Sequence, residues 1–540
     1  MPLSESLMPL LLLIPLIAAI LVLCGAPARK TSLWAAAANL FLALGLTAAY
    51  RLPYAYTLFD VVPGLDLKFL IGLDGLSLTM VLLTVLVTMS AIWVSPKVAH
   101  GENAFYACLL FISAGALGAF ISFDLFFFYA FHELALIPTF LLIGIWGHGE
   151  HRVAAAWKIT IYLAAGSFVL LLGLIGLYGS LPAGERTFDL TKIMHLATLP
   201  DRLGLPGRVD PAAQIWIFPL LLVGFGTLIS LFPFHTWAPT AYAAAPTPAA
   251  MLHAGVLKKF GLYGLLRIAV PLLPVGMQHW MNLMLILLVG NIIYVGFVTI
   301  AQKRLDLMLG YSSVMHMGYI FLGISSLNII GLSGAAILMF AHGLSIAVLF
   351  AVAGEIRTRT GTMRIHELGG LATEMPFLSL IFGLAMFASI GLPGFANFAS
   401  EIMVFFGAFG YQDSSLRHLG YHQVATICGL WGVVMSAVYM LRAYRRIFLG
   451  DRRVLALAAT AEHAHRVAEL PHYNDLAPSR RWALVLLMIG LVVVGFRPGT
   501  LLRLVRPPIA RLTATGADSA RAGRPAATMA QNLPAPGAVP

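Results

Sequence analysis

Apolar stretches of about 18 residues or more recur along nearly the whole chain, separated by short polar turns. Runs of that length match the hydrocarbon thickness of a bilayer, so the pattern predicts membrane-spanning helices rather than a folded soluble core. Fourteen segments follow, with approximate cores at 7–24, 32–50, 75–95, 104–121, 123–146, 156–178, 214–231, 248–271, 279–300, 306–325, 330–353, 376–392, 423–447 and 482–497. A shorter apolar piece, 398–410, precedes the thirteenth. The expected fold class is an all-α polytopic membrane protein of about fourteen transmembrane helices. No basic region of a cleaved leader precedes Leu7–Cys24, which reads as a retained helix.

Two interruptions break the pattern. One is Phe232-Pro233-Phe234-His235-Thr236-Trp237-Ala238-Pro239, continuing to Pro246 and Pro248. The other is Gly391-Leu392-Pro393-Gly394, followed by Asn397 and Glu401. Proline beside a short apolar piece cannot continue a regular helix. Irregular backbone at membrane depth survives only inside protein or beside water. The breaks fall in the seventh and twelfth segments, and this pairing predicts two inverted five-helix repeats with discontinuous helices. The division expected is 1–103 (helices 1–3), 104–272 (first repeat, helices 4–8), 273–447 (second repeat, helices 9–13) and 448–505 (a cytoplasmic loop and helix 14). The remainder, 506–540, is rich in Ala, Pro and Gly and reads as a disordered tail.

Composition agrees: 59% of residues are apolar and only 11% charged, too few to cover a soluble domain. The net charge of +11 would suit nucleic acid, but its placement points elsewhere. Loops after odd-numbered segments hold Arg29, Lys30, Lys97, Arg152, Lys303, Arg304, Arg357, Arg359, Arg364, Arg445, Arg446, Arg452, Arg453, Arg480 and Arg481. The positive-inside rule puts those loops in the cytoplasm and both termini on the periplasmic side of a bacterial inner membrane, with no nucleic-acid partner. Cys24, Cys108 and Cys428 offer neither metal-ligand spacing nor a disulfide framework. His463, His465 and His472, near Glu462 and Asp475, read as a loop surface rather than a metal site. No glycine fingerprint, cysteine cluster or haem signature is present, so no cofactor is expected in this chain.

Charges inside the apolar segments carry the chemistry. Glu133, Lys158, Lys258, Lys259 and Glu401 each stand in or beside a spanning run, with His235, His316 and His342 nearby in sequence or segment. A charge at mid-helix costs about 2.5–3.5 kcal/mol on insertion scales, so several imply a polar interior. Carboxylates, lysines and histidines can each hold or release a proton, and water-bridged chains of them form proton paths. Blander roles stand beside this one. Lys158 can snorkel to the surface, Glu133 can be a packing ion pair, and His316 and His342 can be hydrogen-bonded core residues. Lys258 and Lys259 must point differently, being about 100° apart on a helix.

The motifs resemble the antiporter-like membrane subunits of complex I. They are Phe-Phe-Tyr-x-Phe-x-Glu-x-x-Leu-Ile-Pro at Phe127–Pro138, Trp146-Gly147, Ala156 with Lys158, His235-x-Trp237-x-Pro239, Ala245-Pro246-Thr247, and Lys259-x-Gly261-x-Tyr263-Gly264. Tyr311-Ser312-Ser313-Val314-x-His316-Met317-Gly318, His342-Gly343-Leu344-Ser345, Gly369-Gly370-Leu371 and the Gly391–Glu401 stretch complete the series. The resemblance is nearest to subunit M, also called chain 4, of the NADH-quinone oxidoreductases. It implies a proton-translocating subunit of an oxidoreductase, without a redox centre, packed between related antiporter-like subunits of the membrane arm. By motif, Glu133 is the carboxylate of the first half-channel, Lys259 the central lysine and Glu401 the terminal residue of the second half. An Mrp-type cation/proton antiporter subunit and a non-pumping spacer of the same fold are the alternatives.

Three departures accompany the match. The family places a lysine shortly before the first break, the usual partner of the Glu133 carboxylate; Gly224–Phe232 contains none, and Leu231 stands in the expected place. Thr240 replaces the aspartate after Trp-x-Pro, and Asp306-Leu307-Met308 lacks the usual basic residue. Lys158 and His235, with His132 nearby, are therefore expected to take over the missing lysine's role.

Overall fold

The computed structural model describes residues 7–198, 209–411, 418–450 and 474–522. His463, His465, His472, Glu462, Arg452 and Arg453 lie outside these residues. The apolar segments fold as helices because a bilayer offers backbone N–H and C=O groups no partners but one another. Helices α1 (Leu10–Leu23) and α2 (Ala28–Ala49) lead into a two-stranded antiparallel hairpin, β1 (Tyr54–Val62) and β2 (Leu67–Leu73). Then come α3 (Gly75–Val94), α4 (Glu102–Ile121), α5 (Leu125–Trp146), α6 (Arg152–Gly179) and the short α7 (Leu190–Thr198). The seventh segment is split into α8 (Pro211–Ile229) and α9 (Trp237–Ala244). Helix α10 runs over 247–272 with two wider, π-type turns at His253–Leu257 and Leu265–Ala269. After α11 (Pro274–His279) come α12 (Met281–Ala301), α13 (Leu305–Ser325), α14 (Ile329–Thr360) and a single turn, α15 (Leu371–Glu374). The twelfth segment is split into α16 (Pro376–Ile390) and α17 (Ala396–Phe409), and α18 (Tyr421–Phe448), α19 (Pro478–Phe496) and α20 (Gly499–Ala522) follow.

Among the described residues, 11 helices are long and apolar enough to cross a membrane, joined by three shorter apolar helices, α1, α16 and α17. Both expected interruptions are present, one between α8 and α9 and the other between α16 and α17. The centre of the fold is α14, packed on α3, α10, α13, α16, α17, α19 and α20. It extends past the apolar core expected at 330–353 because Glu355 is not left as a lone buried charge. Its carboxylate pairs with Arg359 one turn on and with Arg480 Nη2 of α19 at 2.6 Å.

The odd-numbered loops gather at one end. Arg29 Nη2 donates to Trp93 O (3.3 Å), Arg359 Nε to Asn474 O (2.7 Å), and His148 N to Ala244 O (2.6 Å). Asp306 lies between Arg304 and Arg357, 2.7 Å from each. This end is the basic face; the opposite end, carrying the hairpin, α7 and α20, is the hairpin face.

The tail expected to be disordered is helical as far as Ala522. Its Ala, Pro and Gly content suggested disorder, but Leu501, Val505, Ile509 and Leu512 recur at helical spacing and are all buried. This amphipathic helix lies across α3 and α14, so closely that a Cβ on Gly75 would sit 1.7 Å from Leu504 O.

The hairpin tip ties to α7 through Asp66, whose carboxylate accepts from Lys192 Nζ (2.7 Å), Lys68 Nζ (2.8 Å) and Thr187 Oγ1 (2.7 Å). Partial burial alone would raise this carboxyl, but the hydrogen bonds from Lys192, Lys68 and Thr187 hold it at about 2, below its ordinary 3.8. A depressed carboxylate contributes its stability in full above its unfolded value and loses it as pH falls through the folded one. The tie, worth up to about 1 kcal/mol for a partly exposed cluster, is therefore intact at pH 4 and released near pH 2. Pepsin cleavage in the Leu190–Thr198 region should accelerate between those values, and Asp66→Asn should be equally labile at both.

Candidate functional site

The interior charges meet where α10 crosses α14. A Cβ on Gly255 would lie 3.0 Å from Gly343 O, and one on Gly343 only 2.7 Å from Gly255 O. The two backbones touch because neither residue carries a side chain, and the contact draws the following turn of α10 against His342. Lys259, with no exposed surface, donates from Nζ to His342 Nδ1 at 3.0 Å and to Ala254 O at 2.7 Å. The wider turn at His253–Leu257 disrupts the regular helical bonding there, and Ala254 O takes the ammonium as a partner. Lys258 is equally buried and points elsewhere, to Ser313 Oγ at 3.4 Å and over the Tyr242 ring at 5.4 Å. Among the described residues no carboxylate lies within ion-pair distance of either ammonium.

From His342 the polar groups continue toward the second break. Its ring lies 5.4 Å from that of His316 on α13. His316 Nδ1 is 2.7 Å from Ser312 O and Nε2 is 2.9 Å from Ser389 O, in the last turn of α16 before the break. A neutral imidazole donates to only one of these oxygens; the protonated ring donates to both. Tyr319 packs edge-on against His316, and Ser312 Oγ is 2.8 Å from Tyr439 OH. Tyr319 also packs edge-on against Phe405 of α17, one turn after Glu401. Gly391, at φ +82°, opens the break, and its missing side chain leaves room for the Glu401 carboxylate, since a Cβ would meet Oε2. Glu401 Oε1, Tyr319 OH and both side-chain polar atoms of Asn397 are buried with no hydrogen-bond partner among the described residues.

The first half is arranged differently. Glu133 on α5 faces outward with 34% of its side chain exposed. Its Oε1 is 3.4 Å from His132 Nδ1 and takes a hydrogen bond from Ser167 of α6. The His132 ring stacks on Phe260 at 4.3 Å, next to Lys259 in sequence. Lys158 is half-buried on α6 and not paired with Glu133. His235 is buried in the first break, stacked on Phe232 at 5.7 Å and beside Tyr294 and Tyr311. Neither of them touches Glu133. Leu231 is buried at 2% exposure, so the first break supplies no cation. Thr240 bonds back to Thr236 O and Trp237 O of its own helix, and Asp306 serves the basic face.

Of the candidates, Lys259, His342, His316 and Glu401 share one interior; Glu133 stands apart with His132, and Lys158 and His235 apart from both. Ser167, Tyr242, His253, Ser313, Tyr319 and Tyr439 were not foreseen. Hydroxyls and rings are common in apolar helices, and only packing shows which turn inward.

The arrangement defines a class: a polytopic subunit with paired broken helices and a lysine–histidine–carboxylate interior. A family model described as NADH:quinone oxidoreductase/Mrp antiporter, TM, matches residues 122–413. NAD(P)H-quinone oxidoreductase chain 4 of Microcystis aeruginosa is 36% identical over 454 residues, covering 81% of this chain and 78% of that protein. NADH-quinone oxidoreductase subunit M of Rickettsia felis is 33% identical over 459 residues, covering 85% of each. A chain of respiratory complex I from Thermus thermophilus superposes with a TM-score of 0.82 at 27% identity, covering 94% of this chain and 99% of that one. A chain of the Mrp complex from Dietzia sp. shares the fold, with a TM-score of 0.77 at 20% identity over 98% of this chain and 99% of that one. The chain belongs to the NADH:quinone oxidoreductase/Mrp antiporter membrane-subunit family, in its subunit M (chain 4) branch.

Proposed function

We propose that this chain is a proton-translocating membrane-arm subunit of a complex I-type quinone oxidoreductase. Quinone reduction in partner subunits drives it, and related antiporter-like subunits flank it. The observation that carries the reading is the buried Lys259–His342 contact at 3.0 Å, continued by His316 toward Glu401. Lys259 gives a proton along this contact to His342, which becomes an imidazolium as the lysine becomes a neutral amine. Relay through His316, with carbonyl acceptors on both nitrogens, delivers the proton to the Glu401 carboxylate. Buried polar atoms without protein partners at Tyr319, Asn397 and Glu401 favour internal water along the last stretch. Glu133, outward-facing and paired with His132, exchanges protons at the other end. The basic face then lies in the bacterial cytoplasm, and both termini on the periplasmic side of the inner membrane. The chain holds no redox centre in this reading.

The test is proton uptake by the assembled complex in liposomes, driven by NADH and a soluble quinone. Lys259→Met should remove this chain's share of the protons moved per electron pair. An unchanged proton yield and rate with Lys259→Met would overturn the reading. The Mrp-type alternative predicts instead a cation-driven pH gradient with no electron donor present.

A further inference from the structure

The first half lacks a lysine before its break, yet α10 carries two buried lysines where the family motif needs one. Lys259 fills the motif. Lys258 is additional, and nothing in the path from Lys259 to Glu401 uses it. It cannot be a surface lysine lying flat. It has no exposed surface and stands about 16 Å along the helix from Thr247 and farther from Leu272, beyond the reach of its side chain. An unpaired ionisable group at that depth points to function by default.

Its contacts differ from those of Lys259 and reach into the first half. Lys259 faces α14, in the second repeat. Lys258 faces the Tyr242 ring on α9, the helix that continues the first break, and Ser313 on α13. Tyr242 OH is 3.4 Å from His253 Nδ1, and the His253–Leu257 turn packs against α5, the helix that carries His132 and Glu133. His132 is the partner of Glu133. Glu133, His132, His253 with Tyr242, and Lys258 therefore form a succession from the outward carboxylate to the centre that bypasses Leu231.

We propose that Lys258 takes the place of the lysine absent near Leu231 and is the proton-carrying residue of the first half. This rests on the translocation reading above. Two like charges on consecutive residues, with no carboxylate beside them, repel, and the release of one proton relieves that repulsion. Lys258 and Lys259 thus work as a pair of amines. A proton reaching the neutral Lys258 amine through His132 and His253 makes it an ammonium. Its charge drives the proton of Lys259 on to His342, leaving Lys259 a neutral amine. Lys258 then gives its proton to Lys259, and the pair is reset.

The experiment uses the assembled complex in liposomes, with proton yield per NADH oxidised as readout. Lys258→Met should lower the yield as far as Lys259→Met does. A lysine returned before the break, as Leu228→Lys or Leu231→Lys, should restore at least half of the loss in the Lys258→Met background. Lys258→Arg keeps the charge but cannot release a proton, and should assemble and fail like Lys258→Met. An undiminished yield in Lys258→Met overturns the proposal. So does full activity in Lys258→Arg, or an assembled Lys258→Met complex that neither lysine rescues. If Lys258→Met does not assemble, Lys258→Arg decides alone. Loss with Lys259→Met but not with Lys258→Met sinks only this inference; no loss with Lys259→Met sinks the translocation reading itself.

Discussion

Glu401→Gln is expected to slow proton transfer through this chain about a hundredfold, the usual scale for removing a positioned proton carrier. The amide is nearly isosteric with the acid, so the space left by Gly391 still holds the side chain and the break keeps its shape. Lost is the site proposed to take a proton from the His316 side and pass it on. Oε1 has no protein partner to be orphaned among the described residues, so assembly should be spared. The measurement is the proton yield of the reconstituted complex, with quinone reductase activity measured alongside in detergent. A yield equal to wild type would remove Glu401 from the path. A yield lost together with the assembled complex would mark it as a packing residue.

The largest effect on stability should come from Asp74 and Arg267, which no sequence motif singled out. Asp74 caps α3, accepting from Leu76 N (3.0 Å) and Ser77 N (2.9 Å). The same carboxylate takes a two-pronged ion pair from Arg267 of α10, with Nη2 2.7 Å from Oδ1. Arg267 also donates to Tyr263 OH, which donates in turn to Phe120 O on α4. Both charged residues are at most 5% exposed. Removing one partner leaves the other charge buried and unpaired, a loss of about 3–5 kcal/mol. Arg267→Met should therefore lower the thermal midpoint in detergent sharply, measured by thiol-reactive dye at buried Cys108 with Cys24 and Cys428 replaced by serine. Asp74→Asn should also do so while keeping the helix cap, since asparagine caps as well as aspartate. The double variant should lose much less than the sum of the two, and strict additivity would show that the pair is not coupled.

Much of this was legible in the apolar pattern. The long apolar runs, the prolines at 233 and 393 and the outlying charges are properties of single stretches of chain, which the bilayer reads one at a time. The same holds for Lys259 and Glu401, whose cost in an apolar run is visible locally. What escaped depends on partners distant in sequence. Glu355 in the extension of α14 is held by Arg359 one turn on and by Arg480, which comes to meet it from α19. The hairpin at Tyr54–Leu73 was not anticipated, since its alternation is short and lies between stronger signals. Composition spoke for disorder after Pro507, while the spacing of Val505, Ile509 and Leu512 spoke for a helix, and spacing governs when a packing surface exists. Lys158 and His235 carried the right chemistry, but neither is placed against Glu133. The outward charges of a helix do not say which neighbour they will find.

Gly75 and Leu504 come together over nearly the whole length of the polypeptide, and Ser90 bonds to Ala483 O across 393 residues. During synthesis α3 is therefore in the membrane long before α19 and α20 exist to cover it. For that interval its bare face, and the matching faces of α10 and α14, must be shielded by lipid or by the insertion machinery. The face of α3 is covered only once α20 has packed across it. A ribosome that stalls after α18 leaves a chain with Lys259, His342 and Glu401 in place and α3 still uncovered at that end.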